Sequence, residues 1–143
     1  MIQRIQSIFL LLAAGAGLGL LGLPFASTAQ AQEGSALFAD AQFLLNDNMV
    51  LLGLFVGGGA LFLITIFLFR NRRLQMTLSL FGILLMVAGA AWGGYLFSQN
   101  IPDQAYDIKA GTALPLLGII FAMLAYNRIK KDDKLVRSMD RLR

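Results

Sequence analysis

Four long apolar runs, separated by polar stretches, set the hydrophobic pattern of this chain. They cover residues 8–25, 49–69, 76–97 and about 110–126, and none contains Asp, Glu, Lys, Arg or His. A bilayer core about 30 Å thick requires about 20 apolar helical residues to cross it, with about 17–25 tolerated. The pattern therefore predicts an all-α fold in which residues 1–127 form an integral membrane bundle of four helices.

The connections between the apolar runs indicate where the predicted helices begin and end. Pro24 is expected to close the first helix, because an internal proline loses a backbone hydrogen bond. The acidic connection 26–48 includes large apolar residues that we expect to lie partly on the membrane surface, namely Leu37, Phe38, Phe43, Leu44 and Leu45. Asn46–Asn48 offers caps for a second helix that begins near Met49. The short turn at Arg70–Arg73 predicts that helices two and three are antiparallel neighbours.

Basic residues gather on one side of the four predicted spans. Eleven of the twelve Lys and Arg residues share that side, and they are Arg4, Arg70, Arg72, Arg73, Arg128, Lys130, Lys131, Lys134, Arg137, Arg141 and Arg143. With Asp132, Asp133 and Asp140, this side carries a net charge of +8, whereas the opposite side, with Lys109 and five acidic residues, carries −4. Short loops rich in Lys and Arg stay in the cytosol, so both termini are expected to be cytosolic.

The composition narrows the chemistry available to the chain. It contains no cysteine and no histidine, which removes thiolate ligands, a cysteine nucleophile and the usual general base near neutral pH. A pI near 9.9 would suit nucleic-acid binding, but membrane orientation accounts for the same basic residues. We therefore expect no cofactor, no metal site and no nucleic-acid partner.

The first apolar run admits two interpretations. Arg4, the apolar stretch Ile8–Leu23 and the small-residue sequence Ala29–Ala31 are typical of a secretory signal and its cleavage site. The stretch reaches 18 residues when it is extended to Phe25, which exceeds the usual length of about 7–15 for a signal core. We therefore expect residues 1–31 to remain as the first helix.

Small residues four positions apart recur in the predicted helices. In lipid, such residues allow helix backbones to approach closely. The candidate packing residues are Gly15, Gly19, Gly53, Gly57, Gly89 and Gly93. Contacts inside a single bundle account for them, and contacts with a membrane-protein partner or a second copy of the chain are the alternative.

Residues 128–143 are expected to form a basic cytosolic tail. Leu135, Val136, Met139 and Leu142 follow an i, i+1, i+4, i+7 pattern, which places them on one helical face. The pattern predicts a continuation of helix four or a short amphipathic basic helix along an anionic membrane surface. The residues expected to contact anionic headgroups or a partner are Lys130, Lys131, Lys134, Leu135, Val136, Arg137, Met139, Arg141, Leu142 and Arg143. Docking to a cytosolic protein is the alternative.

Two pairs of acidic residues are the nearest approach to a catalytic site. Asp103 and Asp107 lie on the outer side, and Asp132 and Asp133 lie in the tail. No convergent nucleophile, base or metal ligand accompanies either pair, so we expect solvated surface charge. The sequence predicts a protein that is not an enzyme.

Three stretches of the chain resemble one protein family. They are Met1–Ser7, Arg70–Gln75 and Lys131–Arg143, and they are similar to the domain of unknown function 4293 family, which consists of small four-helix membrane proteins of Bacteroidota. The resemblance implies an inner-membrane protein in which the first helix is retained. It brings no activity, cofactor or catalytic residue.

Two functions remain open at this point. A non-enzymatic scaffold or accessory subunit of an inner-membrane assembly fits the small size, the short loops and the basic tail. A component of a homo-oligomeric channel or transporter is the alternative, although ion pathways normally place ionisable residues within the spans. Such a pore would be lined by backbone or by residues such as Thr65, Thr77 and Ser79.

Overall fold

The computed structural model describes the backbone of residues 2–140 and the side chains of residues 5–139. Within this part of the chain there are four long helices: α1 (Ile2–Gly19), α2 (Met49–Phe67), α3 (Arg72–Gln99) and α4 (Leu114–Asp140). Helices α1 and α3 each pack against both α2 and α4, so the four helices form a closed bundle. The predicted four helices are confirmed.

Three of the helical segments are long and apolar enough to cross a membrane. They are Met49–Phe67, Arg72–Gln99 and Ala110–Met139, the last of which joins α4 to the 3-10 turn Ala110–Thr112 before it. The remaining apolar helix, Ile5–Gly19, is shorter than the other three. Including its first residues, α1 has 18 residues, and at 1.5 Å per residue it is about 27 Å long, close to the thickness of a bilayer core.

Helix α1 ends earlier than its apolar run. It stops at Gly19, and two tight turns follow, in which Leu21 N donates to Leu18 O at 3.1 Å and Gly22 N donates to Gly19 O at 3.2 Å. Pro24 lies outside the helix, so the prediction that it closes this helix is wrong. Glycine costs about 1 kcal/mol relative to alanine in a helix interior, and the glycines at this end weaken the helix before the proline is reached.

A small antiparallel sheet joins the connection between α1 and α2 to the connection between α3 and α4. Strands β1 (Ala26–Thr28), β2 (Gln42–Phe43) and β3 (Tyr106–Ile108) are ordered β2-β1-β3. Ala26 lies opposite Phe43 on one side and opposite Ile108 on the other. The all-α prediction therefore misses a sheet, because strands of two or three residues are too short to show an alternating pattern.

The apolar residues of the 26–48 connection are buried against the bundle. The buried members are Leu37, Phe38, Phe43 and Leu45. The Phe43 ring lies 5.0 Å from that of Phe25, and the Phe38 ring lies 6.3 Å from that of Phe97 on α3. The expectation that these side chains lie on the membrane surface is wrong, since they instead form an apolar cap on one end of the four helices.

The six candidate packing glycines differ in how closely neighbouring helices approach them. A Cβ atom on Gly89 would lie 2.9 Å from the Phe55 ring, and one on Gly93 would lie 3.3 Å from Leu51 Cδ1. For a Cβ atom on Gly19 or Gly57, the nearest neighbouring atom would lie at 3.6 Å, which is an ordinary van der Waals contact. A Cβ atom on Gly15 or Gly53 would meet nothing within 4 Å. Helix packing therefore involves part of the candidate set.

Other glycines are also approached closely by neighbouring helices. A Cβ atom on Gly17 would lie 3.2 Å from Phe55 O, and one on Gly59 would lie 2.9 Å from Leu18. Gly82 faces the Phe62 ring directly. These glycines thus allow side chains or backbone of the facing helix to approach closely.

Candidate functional site: the basic end of the bundle

The turn between α2 and α3 brings three arginines to one end of the bundle. Asn71 caps α3, and its side-chain oxygen accepts a hydrogen bond from Leu74 N at 3.1 Å. Arg72 and Arg73 therefore occupy the first two positions of α3, while Arg70 precedes the cap. The positive end of the helix dipole disfavours cations at these positions, so helix stability does not explain why arginines stand here.

Arg72 attaches this turn to α4. Its Nη2 lies 3.2 Å from Asp132 Oδ2, and its Nη1 donates to the Asp132 backbone oxygen at 3.1 Å. The Arg72 and Asp132 side chains are 26% and 13% exposed, respectively. We call these two contacts the Arg72 clamp; they join residues 60 positions apart.

The second tail aspartate is paired within α4. Arg137 Nε lies 2.9 Å from Asp133 Oδ2, with the two residues four positions apart. The expectation of solvated surface charge is therefore wrong for Asp132 and Asp133, because both are partly buried and ion-paired. In the other pair, Asp107 lies 3.5 Å from Lys109 in an exposed contact, and Asp103 is exposed.

An open groove of about 680 Å³ runs between the α2–α3 turn and α4. We call it the arginine groove, and its lining residues are Phe69, Arg70, Asn71, Arg72, Arg73, Asp133 and Val136. Arg70 and Arg73 are exposed, and neither has an ion-pair partner among the described side chains. Three arginines against one aspartate leave two net positive charges on the groove wall.

The tail is the uninterrupted end of α4. This helix runs from Leu114 to Asp140, so the predicted continuation of helix four is confirmed, and the alternative, a separate short C-terminal helix, is wrong. No proline or glycine follows Gly118 to break it. Ile129 is fully buried, and Lys130 Nζ lies 6.0 Å from the centroid of the Tyr126 ring.

The candidate contact residues of the tail are exposed as far as they are described. Lys130, Lys131, Lys134 and Arg137 are exposed, as are the apolar Leu135, Val136 and Met139. Arg141, Leu142 and Arg143 lie outside the described residues. Their contacts with headgroups or a partner stay a prediction.

The hydroxyl groups considered for a pore lie on different sides of the bundle. Thr65 and Ser79 are buried, and they donate to Leu61 O at 2.6 Å and to Gln75 O at 2.9 Å. Thr77 is exposed. Gln75 Nε2 adds a helix-to-helix bond to Thr65 O at 3.2 Å. The buried hydroxyls thus hydrogen-bond within the helices, and the three do not share one face.

The opposite end carries an apolar cavity and a net negative charge. A cavity of about 280 Å³ lies between α3, the start of α4 and the sheet, and it is lined by aromatic rings such as Phe25 and Phe97. Burial raises the pKa of Asp47 from its usual 3.8, while a hydrogen bond from Leu44 N acts in the opposite direction. Asn48 caps α2 as predicted, accepting bonds from two backbone N–H groups.

The sequence match supports the family suggested by the chain's ends and central turn. A family model matches residues 2–142, nearly the whole chain. The chain belongs to the family described as a domain of unknown function (DUF4293). No curated protein and no solved structure matches it. The family description assigns no activity.

Proposed function

We propose that this chain is an integral protein of the bacterial inner membrane with a non-enzymatic role, as a scaffold or accessory subunit of a membrane assembly. The observation that carries insertion is the exposure of large apolar side chains on all four helices. Examples are Leu11 on α1, Phe67 on α2, Leu84 on α3 and Leu116 on α4. In water, an apolar surface of this extent would favour aggregation, whereas in a bilayer the lipid chains cover it.

The distribution of charge supports an orientation with both termini in the cytosol. The ionisable residues lie at the two ends of the bundle, and the end that holds the α2–α3 turn and the tail is the basic one. Lys and Arg in short loops are retained on the cytosolic side. We therefore place the arginine groove at the cytosolic surface of the inner leaflet.

The exposed end of α4 supports the scaffold role. Beyond Asp133, which lines the groove, α4 continues to Asp140, a rise of about 10 Å at 1.5 Å per residue. Leu135 and Met139, four positions apart, are 53% and 63% exposed on this segment. Because the helix continues without a break past Asp133 and exposes these apolar side chains, they suit a groove in a partner protein. Contact with an anionic membrane surface is the competing use of the same face.

Cysteine labelling tests the insertion and the orientation, since the chain has no cysteine of its own. Ala36→Cys and Ser138→Cys are suitable because both positions are exposed at opposite ends of the molecule. In intact spheroplasts, an impermeant maleimide should label Cys at position 36 and leave position 138 unlabelled until the membrane is opened. Labelling of position 138 alone would refute the orientation, and release of the chain by alkaline carbonate would refute insertion.

Purification in a mild detergent tests the scaffold role against the channel alternative. A protein that co-purifies in fixed stoichiometry, and is lost from Leu135→Ser/Met139→Ser, is expected for the scaffold. Ser138→Ala, on the same exposed segment, is the matched control and should retain the partner. Isolation of a symmetric homo-oligomer without another protein would favour the channel.

A further inference from the structure

We infer that Arg70 and Arg73 form a binding site for the phosphate of an anionic phospholipid in the arginine groove. The inference deepens the proposed function and rests on it, because it requires the basic end to lie at the surface of the inner leaflet. It concerns one discrete site at the α2–α3 turn, which is distinct from the general attraction of a basic tail to an anionic membrane.

The first argument is the balance of charge. The carboxylates nearest the groove are already paired, Asp132 with Arg72 at 3.2 Å and Asp133 with Arg137 at 2.9 Å. Arg70 and Arg73 face the same groove and lack such a partner among the described side chains. Guanidinium groups bind phosphate with paired, charge-assisted hydrogen bonds, and these two are available to do so.

The second argument is the position of the groove at the start of α3. This helix has 28 residues, and its first N–H groups and dipole favour an anion at its N-terminus. Arg72 and Arg73 stand where that dipole repels cations. A bound phosphate would offset this repulsion, because its negative charge attracts both the N-terminal end of α3 and the arginines.

The third argument identifies the phosphate as that of a lipid. Phe69 and Val136 line the groove beside the arginines, and Phe69, which is 50% exposed, lies just past Leu68, the C-cap of the apolar helix α2. Cationic and apolar groups therefore lie side by side at the depth where headgroups meet acyl chains. Basic pockets between helices on the cytosolic side are suited to anionic headgroups, whereas free phosphate gains nothing from the apolar wall.

The fourth argument is that the groove is held in shape before a ligand arrives. The Arg72 clamp fixes the α2–α3 turn against α4 through a side-chain and a backbone oxygen of the same aspartate. Asn71 fixes the direction of the helix start. A ligand therefore meets a formed site and need not order the turn, which lowers the entropic cost of binding.

Lipid titration of the purified full chain tests the site. Native mass spectrometry in a neutral detergent would follow binding of dihexanoyl phosphatidylglycerol and, separately, dihexanoyl phosphatidylcholine. We expect preferential retention of phosphatidylglycerol, and Arg70→Gln and Arg73→Gln should each weaken it by about tenfold, as for loss of one charge-assisted bond. Arg128→Gln removes the same charge from an exposed α4 position outside the groove and should change binding by less than about twofold.

Three outcomes would overturn the inference. One is equal binding of the two lipids, and another is equal loss in Arg128→Gln and the groove variants. The third is displacement of the lipid by inorganic phosphate at the same concentration, which would mean that the groove recognises free phosphate. Arg70→Lys/Arg73→Lys keeps the charge and provides a folded comparison, in which affinity should fall by a few-fold because the guanidinium fork is lost. Alkaline carbonate extraction of the same protein distinguishes the two possible failures. If the chain resists extraction but does not prefer the anionic lipid, the site is refuted and the membrane assignment stands.

Discussion

Gly111→Ala is expected to destabilise the bundle strongly, because two backbone segments meet at this glycine. Gly111 is buried, and its N–H donates to Pro24 O at 3.1 Å. A Cβ atom here would overlap the Pro24 carbonyl group and would lie 2.8 Å from Leu23 O. Backbone atoms cannot rotate away as a side chain can, so the segment after α1 and the segment before α4 must separate.

The contacts beside Gly111 set the magnitude of this effect. Lys109 N and Thr112 Oγ1 both donate to Phe25 O, at 2.9 and 2.6 Å. Overpacking costs about 1–3 kcal/mol, and a net loss of one of these hydrogen bonds adds about 0.5–1.5 kcal/mol. We therefore expect a loss of about 2–4 kcal/mol, a large part of the 5–15 kcal/mol typical of a folded domain.

Gly94→Ala provides the matched control for that substitution. Gly94 is an exposed glycine within α3, and an added Cβ atom would meet nothing within 4 Å. Alanine there should leave stability unchanged or raise it by up to about 1 kcal/mol. Heating in mild detergent, followed by size-exclusion chromatography, measures both variants. Equal melting temperatures for Gly111→Ala and Gly94→Ala would refute the close contact between residues 24 and 111.

Two further substitutions test the interior and the basic end. Gln6 is 3% exposed, and its Nε2 has no hydrogen-bond partner among the described residues; Gln6→Leu should therefore raise stability by about 1–3 kcal/mol, the cost of burying an unpaired polar group. A lower melting temperature in the same detergent assay would contradict this. Arg72→Ala should lower stability by about 1–2 kcal/mol, because it leaves the partly buried Asp132 carboxylate unpaired. Arg128→Ala, an exposed control on α4, should stay within about 0.5 kcal/mol of the parent chain, and equal effects of the two changes would exclude the clamp.

Helices and charge could be predicted from the sequence because both signals are local. Apolar runs of spanning length predict the helices directly, and Asn48 beside such a run predicts its cap. The predicted turn at Arg70–Arg73 agrees with the α2–α3 turn to within two residues, although Arg72 and Arg73 belong to α3. Residues adjacent in the sequence determine each of these features.

Features that depend on distant residues could not be predicted in the same way. Ala26 pairs with Ile108 in the sheet, and strands this short carry no periodicity. The arginine groove depends on the contact between Arg72 and Asp132. The sequence predicts that both residues lie at the same end of the helices, but it does not predict that they pair. Glycine spacing has the same limitation. It predicts which glycines share a face of one helix, but not which face packs against the neighbouring helix.

The two ends of the bundle are held by different interactions, and this difference makes their roles separable by mutation. At the sheet end, β1 is bonded through its backbone to both β2 and β3, so that a change such as Gly111→Ala acts on the whole fold. At the basic end, the turn is attached through the side chain of Arg72, while Arg70 and Arg73 remain outside that attachment. Substitution of these two arginines should therefore alter lipid binding in a bundle that keeps its stability, which is the behaviour expected of ligand-binding residues and not of structural ones.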